Sequence, residues 1–241
     1  MYELIKINDT IWAYQITMDD GDAVRFFVLD CADEVLVIDS GVLPVDVKQL
    51  ALDAAKKSPD TKVTLINTHG DMDHTGGNAS FASFYMHPED YERCKIKERC
   101  PDAGLLAIQD GELLTIGSRT LQFVTTPGHT YGSVTILDLT NRIAFPGDVI
   151  QTGNIYMFGD HRCPDKMEES LLKLENVKER FDTIYSCHGK ISLSTDSIGQ
   201  VLEDWRKVLK KELPYQRITV FGTDVNRYQG TFCNFLYNPV K

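Results

Sequence analysis

No stretch of this chain is apolar for long enough to cross a bilayer, and Met1-Tyr2-Glu3-Leu4-Ile5-Lys6 lacks the basic-then-apolar pattern of an export leader. Basic residues are in deficit: 25 Lys and Arg stand against 35 Asp and Glu, a net charge of −10. A uniformly negative field repels phosphate backbones and anionic lipid, so nucleic acid and membrane surfaces are excluded as default partners and a small-molecule substrate is expected. The six cysteines (Cys31, Cys94, Cys100, Cys163, Cys187, Cys233) contain no Cys-x-x-Cys pair and no regular framework. With no export signal, they read as reduced thiols in a cytoplasmic protein. There is no Gly-x-Ser-x-Gly elbow, so a serine nucleophile of that type is not indicated. There is also no Pro-, Gly- or Ser-rich linker, no low-complexity segment and no internal repeat, which favours one domain over residues 1–241.

What is present is ordinary globular material, 42% hydrophobic and 25% charged. Alternation or short apolar runs predict strands over Tyr2–Ile7, Thr10–Ile16, Val24–Leu29 and Glu34–Ile38, with turn residues between them. Helical spacing follows over Val45–Lys57, stopped by Ser58-Pro59-Asp60. A buried strand, Val63–Asn67, then leads into a polar loop, with a helix expected from about Gly77-Asn78. The second half repeats the order. Strands are expected at Glu112–Ile116, Thr120–Thr125, Val134–Leu137 and Arg142–Phe145, then a helix over Glu168–Phe181, a strand at Thr183–Ser186 and a helix over Ile198–Leu213. A final strand pair, Arg217–Phe221 and Tyr228–Leu236, is read as core, edge or dimer contact. Strands then helices, twice, predict an α/β fold of four layers, αββα, with two mixed sheets inside outer helices. The least regular stretches, Glu98–Asp110 and Gln151–Lys166, are where substrate-facing loops are expected.

The chemistry concentrates in Thr68-His69-Gly70-Asp71-Met72-Asp73-His74-Thr75-Gly76-Gly77, four imidazole or carboxylate groups within six residues. Ionisable groups so dense at the end of a buried strand are costly unless paired or metal-bound. Three later segments share the design. Thr126-Pro127-Gly128-His129, Phe145-Pro146-Gly147-Asp148 and Ser186-Cys187-His188-Gly189 each place a ligand type at a strand end beside glycine.

In that order the segments resemble the metallo-β-lactamase superfamily: a His-x-His-x-Asp-His run, a lone His, a Gly-Asp and a final His. Asp110–Gly117, leading to the Pro-Gly-His, is similar to the hydrolase (glyoxalase II-like) branch. The resemblance implies a dinuclear site, with His69, Asp71 and His129 on one divalent ion, Asp73, His74 and His188 on the other, and Asp148 bridging. Zinc is the first choice and iron or manganese the alternatives. It further implies hydrolysis of a small ester, thioester or lactone by a metal-bound hydroxide, with Asp73 also orienting the nucleophile. The glyoxalase II type carries an extra C-terminal helical domain, which argues against hydroxyacylglutathione itself. Alternatives in other classes are a diiron redox protein acting on oxygen or nitric oxide with a separate electron donor, and a non-catalytic metal or ligand sensor.

The departure is Asp71, where the family has histidine. It either coordinates as a carboxylate, for which the flavodiiron branch offers a glutamate precedent, or points away and leaves one metal. Coordination would bring Asp71, Asp73, Asp148 and a bridging hydroxide against two divalent ions. Such a site is formally neutral, a weaker acidifier of water, and tilted toward iron or manganese. Outside the ligand set, Tyr156, Phe158, His161 and Arg162 are candidate pocket residues, with Arg162 suited to a substrate carboxylate. His87 reads as a surface or packing histidine, and the thiol of Cys187 as turned away from the metals. Elemental analysis of Asp71→Ala separates the two readings: two equivalents falling to one put Asp71 against a metal, and no change leaves it outside.

Overall fold

The computed structural model describes residues 1–19, 21–96 and 104–239; Cys100 and the start of the Glu98–Asp110 stretch lie outside them. Alternating apolar residues build an antiparallel meander of β1 (Glu3–Lys6), β2 (Ile11–Thr17), β3 (Ala23–Cys31) and β4 (Glu34–Ile38), where strands were expected. The helix α1 (Val47–Ala55) starts at Asp46, whose carboxylate accepts from the Gln49 amide at 2.9 Å. It returns the chain so that β5 (Lys62–Ile66) pairs parallel to β4.

The helix expected from Gly77-Asn78 does not form. A single turn, α2 (Met72–Thr75), is followed by a 3-10 turn over Asn78–Ser80 and then by a strand, β6 (Ser83–Met86). Two local causes win over helix formation. The Asn78 and Asn67 side-chain amides exchange hydrogen bonds, and Ser40 Oγ donates to Asn78 at 2.6 Å, which fixes a buried corner. Beyond it, fully buried Phe84 and Met86 alternate with less buried Ser83 and Tyr85, the period of a strand. After α3 (Pro88–Ile96), β7 (Gly104–Ala107) completes a seven-stranded sheet in the order β1 to β7.

The second half supplies β8 (Leu113–Ile116), β9 (Arg119–Thr125), β10 (Val134–Asp138), β11 (Ile143–Phe145), β12 (Asn154–Tyr156), α4 (Pro164–Val177), β13 (Thr183–Tyr185), β14 (Ser192–Ser194) and α5 (Ser197–Leu209). The second sheet runs β14-β13-β11-β10-β9-β8. Helix α4 begins four residues before the expected Glu168, because Pro164 at its first position is preset for helical φ. The expected final strand pair is instead three strands, β15 (Tyr215–Val220), β16 (Thr223–Gln229) and β17 (Asn234–Tyr237). With β12 they form a third sheet in the order β12-β17-β16-β15.

Between the two large sheets, Phe27, Leu29, Leu36 and Ile38 meet Leu121, Phe123, Ile136 and Phe145. Val47, Ala51 and Ala54 of α1 cover the outer face of the first sheet. Met167, Leu171 and Leu174 of α4 and Ile198, Val201 and Trp205 of α5 cover the second. These are the four expected layers, with the small sheet added beside α5, where Trp205 lies 5.0 Å from Phe235, centroid to centroid. The reading of reduced thiols holds for Cys31, Cys163, Cys187 and Cys233 and fails for Cys94, which is disulfide-bonded. No described helix is long and apolar enough to cross a membrane.

The small sheet is tied to α5 by Asp204, whose buried carboxylate accepts from the amides of Thr231, Phe232 and Cys233 at 3.0, 2.7 and 3.2 Å. Asp204→Ala leaves three donors without that acceptor, so a loss of about 3 kcal/mol is expected, read as a lowered Tm or denaturation midpoint.

Candidate metal centre

Strand ends from both large sheets deliver the polar groups to one edge of the sandwich. β5 runs into Thr68 and His69, β9 into His129, β11 into Asp148 and β13 into His188. Gly147 makes the approach of Asp148 feasible: its φ is 55°, and a Cβ there would sit 2.6 Å from Thr68 Oγ1. All seven residues expected as metal ligands converge here, in two adjoining pockets.

The first of these pockets to consider holds Asp73, His74, His188 and one oxygen of Asp148. His74 Nε2 lies 3.6 Å from Asp73 Oδ2, 3.2 Å from Asp148 Oδ1 and 3.4 Å from His188 Nε2. His188 Nε2 lies 3.3 Å from both Asp73 Oδ2 and Asp148 Oδ1. Ligand atoms about 2.1 Å from a tetrahedral ion stand about 3.4 Å from one another, so these five separations match the edges of a coordination shell. They are too long for strong charge-assisted hydrogen bonds, and buried Asp148 Oδ1 accepts none among the described residues. His74 Nδ1 lies 2.8 Å from Asp39 Oδ2, and His188 Nδ1 lies 3.2 Å from Asp22 Oδ2, so in both rings Nε2 is the atom turned to the centre. Burial opposes charge on His74, yet Asp73, Asp39 and Asp148 hold its pKa well above the ordinary histidine value. Burial likewise opposes charge on His188, and Asp148, Asp22 and Asp73 overcome it. The carboxylates gathered around these two rings are negative charge in a buried place, which a cation would balance. The residues fit a divalent ion.

The second pocket is formed by His69, Asp71 and His129. Asp71 Oδ2 lies 3.1 Å from His129 Nε2 and 3.7 Å from His69 Nε2. A further group enters this pocket. Arg162, its side chain only 8% exposed, donates from Nη2 to Asp71 Oδ2 at 2.6 Å and from Nη1 to His129 Nε2 at 2.8 Å. Nη1 also donates to the His129 carbonyl at 2.9 Å. Burial lowers the His129 pKa first and the Arg162 charge lowers it further, to about 4. Burial pushes Asp71 up, and Arg162 outweighs it, so that its carboxyl is held well below the usual range. Here the cation is already supplied by the chain. Arg162, expected to face a substrate carboxylate, is instead turned inward.

The other pocket residues lie as follows. Tyr156 accepts a hydrogen bond at its main-chain oxygen from His129 Nδ1 at 3.0 Å. Its ring stands 6.0 Å from Phe158 and stacks 6.2 Å from Phe221, at the tip of the β15–β16 hairpin. His161 Nε2 is 3.8 Å from Asp71 Oδ1. His87 accepts from the Glu89 amide at 3.3 Å, at the start of α3, away from the centre. Cys187 donates to Asp39 Oδ2 at 3.5 Å, and burial pushes its thiol up to about 11, so it stays neutral.

Three carboxylates that support the ligands were missed. Asp39 accepts from the Thr68 amide at 2.7 Å as well as from His74. Asp90 of α3 accepts from the Gly70 amide at 2.8 Å, the Gly132 amide at 2.9 Å and the Thr130 hydroxyl at 2.6 Å, which clamps the loop after β5 to the loop after β9. Asp22 backs His188. Asp39 did carry a signal, since Ile38-Asp39-Ser40-Gly41 repeats the pattern of a carboxylate beside glycine at a strand end. Asp39→Asn weakens the orientation of His74 and is expected to lower divalent-ion affinity by about 10- to 100-fold, measured by competition with a chromophoric chelator.

Comparison with known proteins gives this arrangement a family. Residues 20–212 match the family model described as metallo-beta-lactamase superfamily. Among curated proteins, human "Acyl-coenzyme A thioesterase MBLAC2" is 23% identical over 179 residues, covering 60% of this chain and 64% of that one. "Hydroxyacylglutathione hydrolase" of Mesorhizobium japonicum is 26% identical over 170 residues, covering 64% of this chain and 61% of that one. The chain therefore spans under two thirds of the length of these relatives. Among solved structures, "Metallo-beta-lactamase from Pontibacter korlensis" superposes with a TM-score of 0.72 at 15% identity, covering 86% of this chain and 99% of that one. With a family match over four fifths of its length and the ligand-bearing strand ends in the expected order, the chain belongs to the metallo-β-lactamase superfamily.

Proposed function

We propose that this protein is a metal-dependent hydrolase of a small thioester, with related esters and lactones as secondary substrates. The observation that carries the reading is the shell-like spacing, 3.2–3.6 Å, among Asp73, His74, His188 and Asp148. The substrate class is supported by the relatives named above, one a thioesterase and the other a hydrolase of hydroxyacylglutathione. Two imidazoles with two carboxylates suit zinc first, and iron or manganese as well. An ion held there supplies a Lewis acid and acidifies a water near neutral pH.

The chain's own groups do the rest. Asp73, with 26% of its side chain exposed, is the most open of the four ligands and so the one that entering water meets first. Burial raises its pKa, but His74 and His188 lower it to about 2, so the carboxylate is ionised at neutral pH and can orient a water by accepting its hydrogen bond. His74 and His188 are fixed from behind by Asp39 and Asp22, which keeps their Nε2 atoms on the centre. The rings of Tyr156, Phe158 and Phe221 form an aromatic wall for the apolar part of an acyl group. Cys187 is neutral and turned to Asp39, so it takes no part as a nucleophile. The diiron redox alternative needs a carboxylate ligand at Asp71, and the ion pair of that carboxylate with Arg162 favours the hydrolase reading.

The test is release of free thiol from acyl-coenzyme A substrates of increasing chain length, followed with a chromogenic thiol reagent. Turnover is expected, abolished by a chelator, restored by zinc, and lowered about 10²- to 10⁴-fold in kcat by Asp73→Asn. Metal-loaded protein that cleaves neither thioesters nor lactones would overturn the reading.

A further inference from the structure

We infer that the guanidinium of Arg162 stands in place of one of the two metal ions, so that the centre holds a single ion at Asp73, His74, His188 and Asp148. The lone pair that His129 would offer a metal is already engaged. His129 Nδ1 faces the Tyr156 carbonyl at 3.0 Å, and a carbonyl only accepts, so Nδ1 carries the proton and Nε2 a single lone pair. That lone pair receives Arg162 Nη1–H at 2.8 Å. It cannot bind an ion at the same time. Asp71 Oδ2, the oxygen nearest to His129, accepts from Arg162 Nη2 at 2.6 Å, so the negative charge of this carboxylate is already paired. A guanidinium is a fixed positive charge, and in this position it repels any second cation brought to the same ligands.

The guanidinium is built into place rather than folded in from the surface. The Arg162 amide donates to the Gly159 carbonyl at 3.2 Å, and the next residue, buried Cys163, donates from its amide to Gly128 at 3.0 Å and from its thiol to Thr130 at 3.3 Å. Helix α4 starts immediately afterwards, at Pro164. The Arg162 amide therefore closes a turn with Gly159, and the residue that follows is fixed to the loop that carries His129. On this view Asp71 and Arg162 are two halves of one change. An aspartate gives the guanidinium an anionic acceptor, where the family's histidine would present an imidazole to it. His69 remains, with Nε2 accepting no hydrogen bond among the described residues, and the ligand atoms within its reach include those of His74 and Asp148. It stands equally within reach of Asp71 and His129, between the two pockets.

This inference rests on the metal-dependent reading above, and metal content tests it independently of turnover. Protein is loaded with excess zinc, passed through a desalting column and assayed by elemental analysis. One equivalent per chain is expected for the wild type. Asp71→Ala should keep that equivalent and Asp73→Ala should lose it. The double variant Asp71→His/Arg162→Ala, which restores an imidazole and removes the guanidinium, should take up two. Two equivalents in the wild type, or loss of the single one in Asp71→Ala, would overturn the inference and leave the hydrolase reading intact. No bound metal in the wild type would overturn both. One equivalent without thioester or lactone turnover would overturn the proposed function alone. The wild-type and Asp71→Ala measurements decide the matter even if the double variant does not fold.

Discussion

Negative charge in a confined space is the constraint that orders this molecule. Asp39, Asp71, Asp73 and Asp148 gather behind and around the same cluster of histidines, with Asp22 beside them. Like charges brought together away from water cannot all stay ionised unless something positive meets them. The fold meets them in two ways, a pocket shaped for a divalent ion on one side and an arginine on the other. Rigidity follows from the same need: Asp39 and Asp22 hold imidazoles, and Asp90 ties two loops with three hydrogen bonds.

Much of this could be read from the sequence because ligand segments carry local marks. His69–His74, His129, Asp148 and His188 each follow an apolar strand and adjoin glycine, and the long strands show period-two alternation over enough residues to be seen. Short elements were harder. The three-residue strands β12 and β14 give no periodicity, and the helix expected from about Gly77-Asn78 gives way to a turn because the Asn67–Asn78 hydrogen bonds that bend the chain there join residues 11 positions apart. The disulfide at Cys94 is hidden for a related reason, since spacing alone does not reveal a bridge.

The decisive side chain was the least legible of all. Arg162 was noted for its chemistry, but its guanidinium meets a carboxylate 91 residues earlier, and nothing local specifies that it points inward. Asp90 resembles any acidic residue in the first turn of a helix, and only the packed loops show what it accepts from. Phe221, at the tip of a hairpin, is marked only by its distance from Tyr156. Residues that act through partners distant in sequence are visible only once the sheets are stacked.

The same dispersal joins ion binding to folding. The ligands of the proposed ion come from Asp73 and His74 in the first half of the chain and from Asp148 and His188 in the second, on loops that end strands of different sheets. An unfolded chain presents at most the adjacent pair, so an ion prefers the stacked sandwich over the open chain. Its free concentration then becomes a thermodynamic force on the packing between the sheets, and each tenfold excess over the dissociation constant adds about 1.4 kcal/mol to the cohesion of a core it never touches.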